Sequence, residues 1–167
     1  MIRTFRNVAL LLTAPAVMGL SFAASGPAAA AVAHPAVGCT SSASDPIKID
    51  GFAFTPAAVP PGGSSTADLI TTNCSNTSVT TTEEWLAQWL PLTGAGGVAT
   101  GCPILDPLIR SAVYGPGQEL AENTGYTVPA GCEAAELAVT VRISVASSGV
   151  VETATADLVI EHVSPGS

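Results

Sequence analysis

LAVTVRISVASSGVVETATADLVI, residues 137–160, reads as two strands joined by a tight turn. Leu137, Val139, Val141, Ile143 and Val145 alternate with Ala138, Thr140, Arg142 and Ser144. A period of two sends one set into a core and the other into water, the pattern of a half-buried strand. Ser147-Ser148-Gly149 supplies the turn. The return strand puts Ala154, Ala156, Leu158 and Ile160 on one face and Thr153, Thr155, Asp157 and Glu161 on the other. Glu152 falls on the apolar face and is therefore expected at the strand's frayed end. Glu133 and Glu136, flanking the hairpin's first strand, read as solvated charges.

Upstream, the strand signals are shorter. Ser111-Ala112-Val113-Tyr114 and Gln118 to Glu122 are candidate strands on either side of Gly115-Pro116-Gly117. Residues 91–109 are rich in glycine and proline and read as irregular. Residues 77–90 support two readings. Thr81 with Glu84 fits a capping box, and a helix would align Trp85, Leu86, Trp89 and Leu90 in one stripe before Pro91. On a strand, Trp85 and Trp89 share one face and Leu86 and Leu90 the other. The strand is preferred, because Val79-Thr80-Thr81-Thr82 is β-branched and the neighbouring segments are strands. Ser64 to Thr72 reads as a strand with Ala67 and Leu69 on one side. In Ile47 to Phe54 the apolar phase flips at Gly51, between Ile47, Ile49 and Phe52, Phe54, which predicts a β-bulge.

The N-terminus sets the compartment. Arg3 and Arg6 precede an apolar run from Val8 to Leu20, and Ala31-Val32-Ala33 matches the small-residue pattern cut by a signal peptidase. Residues 1–33 thus read as a signal peptide, 34–46 as a flexible linker, 47–163 as one β-domain and 164–167 as a tail. Two alternatives remain: an uncleaved apolar anchor, or lipidation at Cys39 through a loose lipobox, Ala36-Val37-Gly38-Cys39. The alanine-heavy leader reads as bacterial. In that setting the sequons at Asn73 and Asn76 read as chance. An exported chain with an even number of cysteines, Cys39, Cys74, Cys102 and Cys132, is expected to form two disulfides. Spacings of about thirty residues lack the close pairs of a zinc site, so no metal or cofactor is expected.

Charge narrows the partners. All 13 acidic residues follow Ala33, against Lys48, Arg110 and Arg142. Such a surface repels phosphate backbones and anionic lipid, which excludes nucleic acid and argues against membrane insertion after signal cleavage. The short strands and frequent turns give an all-β chain, a single β-sandwich of about seven strands. The pattern resembles the immunoglobulin- or fibronectin-like domains of bacterial secreted proteins across residues 47–162. The resemblance is architectural, carried by strand spacing and by Trp85 in the third strand. It implies a packing solution rather than an activity. In a sandwich of alternating strands, Cys39 and Cys74 lie at one end of the first hairpin, while Cys102 opens the irregular loop and Cys132 ends the next one. The expected pairs are Cys39–Cys74 and Cys102–Cys132.

Catalytic patterns are sparse. His34 and His162 read as exposed tail residues, and the sequence holds no nucleophile elbow, zinc-protease helix motif or phosphate loop. Glu83-Glu84 paired with Asp106 or Glu122 is formally a glycosidase-like couple, but solvated edge charge is the plainer reading. Trp85 and Trp89 are the candidate binding surface for a sugar or protein groove, against the plainer alternative that they are core. The loop Leu92 to Pro107 is long enough to carry binding. The expectation is a secreted, non-enzymatic module binding an extracellular protein or cell-wall glycan. The alternatives are an inhibitor of an extracellular hydrolase presenting the loop around Cys102, or a carrier of a small apolar ligand.

Overall fold

The computed structural model describes residues 39, 45–92, 98–146 and 148–162. The leader, His34, most of the linker and the tail lie outside these residues. Among the described residues there are eight strands and no helix: β1 (Ile47–Thr55), β2 (Ala58–Val59), β3 (Ser64–Asn73), β4 (Val79–Pro91), β5 (Leu108–Tyr114), β6 (Glu119–Thr127), β7 (Ala134–Val145) and β8 (Gly149–Ile160). They form a three-stranded sheet ordered β1-β3-β6 and a five-stranded sheet ordered β2-β8-β7-β4-β5. The strands pair antiparallel except for β2, which runs parallel to β8.

The core lies between the sheets. Leu137, Val139, Val141 and Ile143 of β7 are fully buried, as are Leu69 of β3 and Leu158 of β8. These are the in-phase apolar positions, so the period of two is realised as the inner face of the five-stranded sheet. The segment 77–90 is the strand β4, and Phe52 of β1 meets the Trp85 ring edge-on across the core, centroids 5.4 Å apart. The phase flip in β1 is a bulge. Ile49 pairs with Thr71 and Gly51 with Ile70, leaving Asp50 unpaired. The bulge keeps Ile47, Ile49, Phe52 and Phe54 on one face. Asp50 is held by Lys48 at 2.7 Å and by the Thr72 hydroxyl. The hydrogen bond from Lys48, then that from Thr72, hold its carboxyl below the usual range.

Three boundaries differ from expectation, each because pairing overrides local composition. β6 continues past Glu122 through Asn123-Thr124-Gly125-Tyr126-Thr127, since β3 offers a ladder as far as Ser64, opposite Thr127. β5 begins at Leu108, opposite Trp85. Glu152 is not at a frayed end. It sits inside β8 opposite Ile143, after a register shift, with β8 beginning at Gly149.

Both disulfides have the expected partners, Cys39–Cys74 and Cys102–Cys132, and both are consistent with an oxidising compartment. Each ties one end of the sandwich. At the first end, Asn73 is buried and its Nδ2 donates to the carbonyls of Thr77 and Gly115, while Cys74 N donates to Pro46 O. This sequon asparagine is a turn organiser. At the second end, Gly101 takes a positive φ of 72° against Gly131. A Cβ there would collide with the Gly131 carbonyl, so the approach requires glycine. His162 is not an exposed tail residue. It is half-buried, its Nε2 2.7 Å from Ala134 O.

Candidate functional site

The two tryptophans share a strand face but not an environment. Trp85 lies mid-sandwich, 1% exposed, with the Arg110 guanidinium 5.2 Å from its ring. It is a core residue, and the expectation of a binding role for it is corrected: a side chain without exposed surface has nothing to offer a partner. Trp89, four residues nearer the end of β4, is half-buried, and its Nε1 donates to Pro103 O at 2.8 Å. That bond docks the loop after residue 98 onto the end of the sheet.

The described part of this loop, residues 98–107, is held at three further points. Ala99 is buried, Glu133 N donates to Thr100 O at 2.8 Å, and Cys102 is bridged to Cys132. Its Thr-Gly-Ala-Gly-Gly segment, residues 93–97, lies outside the described residues. Despite these anchors, Val98 and Ile104 are each 91% exposed. A cleft of about 220 Å³ runs between Trp89, Val98, Ile104 and Leu105. Isolated exposed aliphatics are ordinary on a protein surface, but two on one pinned loop beside an indole form an apolar patch with fixed geometry. A larger recess of about 520 Å³ at the opposite end is lined by Ser75, Asn76, Thr77 and their neighbours and holds no charged or aromatic side chain.

The carboxylates hold the larger departure from expectation. Glu84 is on the outer face, 3.8 Å from Arg142, and Asp106 is exposed. Glu83, read as solvated, is fully buried. Its Oε1 accepts a hydrogen bond of 2.9 Å from the Tyr114 hydroxyl. Because the tyrosine's one proton points at Glu83, Thr71 donates to the Tyr114 oxygen, also at 2.9 Å. Glu122, likewise read as edge charge, turns inward from β6, with Arg110 Nη1 3.9 Å from its Oε2. A hydrogen bond with Glu83, then burial, then the charge of Glu83 push the Glu122 carboxyl up to about 7, against the opposing pull of Arg110. Burial pushes the Tyr114 phenol above its ordinary range. The structure thus unites Glu83 and Glu122 of the formal couple and separates Glu84 and Asp106. A glycosidase pair must reach its substrate, and Glu83 has no exposed surface with which to do so.

Strand parity carried the signal for this cluster. Glu83 is in phase with Val79, Thr81 and Trp85. Arg110 is in phase with Ala112 and Tyr114, and Glu122 with Leu120 and Tyr126. Removing the Tyr114 hydroxyl tests the network. Tyr114→Phe leaves Glu83 Oε1 and Thr71 without their shared partner, and about 1–3 kcal/mol of stability is expected to be lost in urea unfolding. A change below a few tenths of a kcal/mol contradicts the network's role.

No family model matches the chain, and no curated protein matches it. Among solved structures it is similar to the Pseudomonas fluorescens alkylpurine DNA glycosylase AlkC bound to DNA containing an abasic-site analogue, with TM-score 0.49 and 11% identity over 71% of this chain and 31% of that one. It is also similar to a Paenibacillus sp. cycloisomaltooligosaccharide glucanotransferase complexed with cycloisomaltoheptaose, with TM-score 0.45 and 14% identity over 68% and 14%. A third similarity is to Spo0M, a sporulation control protein from Bacillus subtilis, with TM-score 0.39 and 11% identity over 70% and 49%. The chain therefore spans half or less of each of these proteins, whose functions differ, and the likeness carries no argument about activity.

Proposed function

We propose that the chain is a secreted, non-enzymatic binding module that recognises an extracellular or cell-envelope protein through the loop 98–107. The carrying observation is the pair Val98 and Ile104, each 91% exposed on a loop anchored by Cys102–Cys132 and by Trp89. Anchoring lowers the ordering cost of association, and exposed aliphatics supply the desolvation gain. Secretion is the matching compartment for the leader and for both disulfides. Recognition of a cell-wall glycan is less well supported, because the row of aromatics it needs is broken: Trp85 is core.

The same anchoring favours a second reading, an inhibitor of an extracellular hydrolase, since inhibitory loops enter active sites with little change of shape. Immobilised oxidised domain, exposed to the culture fluid and envelope extract of the source organism, tests both. Saturable capture of one protein supports a binding module. Loss of that protein's hydrolytic activity on addition of the domain selects the inhibitor. Retention only on insoluble polysaccharide counts against both.

A further inference from the structure

We propose that Glu83 and Glu122 hold a single proton between them in the folded domain, and that this proton locks the β6 edge of the small sheet onto the large one. Glu83 Oε1 is satisfied by Tyr114, but Glu83 Oε2 and Glu122 Oε2 are both buried without a hydrogen-bond donor. With both groups ionised, neither oxygen is satisfied. With one proton on Glu122, its hydroxyl donates to Glu83 and the pair closes.

The surroundings require the same count. Tyr114 of β5 reaches Glu83 and is in turn bonded by Thr71 of β3, Arg110 of β5 lies beside Glu122 and over Trp85 of β4, and Thr124 and Tyr126 share the inner face of β6 with Glu122. Both phenols are pushed up by burial and stay neutral. Arg110 is the one cation facing the pair among the described residues, and it also donates to Asn123 O at 3.1 Å while lying over Trp85. A fully buried Glu83 beside a partly buried Glu122, with one cation 3.9 Å from Glu122, leaves an uncompensated charge when both ionise, and burial opposes that state. The Glu122 side chain is 24% exposed, so its proton has a path to solvent that Glu83 lacks.

The lock adds a polar tie to the apolar packing of Leu120 and Tyr126 against the core. β6 pairs in its own sheet with β3 alone. Among the described residues, its polar ties to the other sheet run from Glu122 to Glu83 and Arg110 and from Arg110 to the Asn123 carbonyl. When Glu122 ionises, the proton passes to water and two like charges face one another, so β6 is the edge that loosens. The sign follows from linkage. A carboxyl raised from its ordinary 4.5 to about 7 in the folded state contributes stability that is fully present below 4.5 and lost as pH rises through 7.

Two measurements on the oxidised domain test this. In infrared difference spectra, the carbonyl band of a protonated carboxyl is expected to persist at about pH 6, to titrate near 7 and to vanish in Glu122→Gln. In urea unfolding, the wild-type midpoint is expected to fall between about pH 5 and pH 8, and Glu122→Gln to flatten that fall. An unchanged pH slope in Glu122→Gln overturns the proposal. If that variant does not fold, the wild-type infrared titration decides alone: absence of a protonated carboxyl at about pH 6 overturns it and presence supports it.

Discussion

Trp85→Ala is expected to lower the unfolding free energy by about 3–5 kcal/mol, the range for emptying a buried aromatic site. That is a large share of the ~5–15 kcal/mol that stabilises a domain of this size, so the variant is expected to be partly unfolded at moderate temperature. The size of the effect follows from position. Trp85 sits at the centre of β4, which pairs with β5 on one side and β7 on the other. Its ring contacts Phe52 of the opposite sheet and lies under Arg110. Removing it opens a cavity between the sheets and withdraws the support of the cation that balances Glu122. Trp85→Phe keeps a ring against Phe52 and is expected to lose roughly half as much. Calorimetry or urea unfolding reads both values. A loss below about 1 kcal/mol for Trp85→Ala means that the ring is exposed and the core assignment is wrong.

Removing the Cys102–Cys132 bridge by the double change to serine is expected to cost about 2–4 kcal/mol through the freedom regained by the unfolded chain. The bridge closes a loop of sequence separation 30. A second consequence distinguishes this disulfide from Cys39–Cys74. Without the bridge, the ties that remain to 98–107 among the described residues are the Trp89–Pro103 and Glu133–Thr100 hydrogen bonds, both at or near the surface, and the buried Ala99. Amide exchange in this loop is expected to accelerate strongly, while exchange in β7, whose core positions are fully buried, tracks the global loss of stability. Equal change in the loop and β7 contradicts the picture of a loop held chiefly by its disulfide.

Much of this architecture is visible in strand parity. The hairpin from 137 to 160 is legible because its inner positions are nearly all aliphatic and its turn carries glycine at 149, where φ is 75°. The Asp50 bulge is legible as a break in parity, and the disulfide pairing follows once the strands alternate in direction. The carboxyl cluster was hidden by residue type. A glutamate after three threonines reads as solvated surface, because burying a charge costs several kcal/mol unless it is partnered. Its partners come from β3, β5 and β6, between 12 and 39 residues away by their numbers in the chain, and no local window contains them. The second half of β6 was hidden for a related reason: Asn123 and Gly125 are poor strand formers, and only the ladder with β3 holds them extended.

The loop at the second end of the sandwich is long enough in sequence to carry binding or to be a plain surface loop tied by Cys102, and what the structure adds is which of its side chains reach solvent. Val98 and Ile104 do so, while Ala99 is buried and Cys102 is bridged. The proposed recognition is assigned to this anchored loop, and the proposed shared proton to how firmly the sheets close.

The decisive measurement is the comparison of wild type with Val98→Asp/Ile104→Asp as immobilised bait against the same extracellular extract. Both sites are exposed, so the double variant is expected to keep the unfolding midpoint within about 0.5 kcal/mol of wild type. A protein is expected to be retained saturably by wild type and at least tenfold less by the variant, a loss of about 1.4 kcal/mol or more. Equal retention by the two baits contradicts it and moves recognition away from residues 98–107.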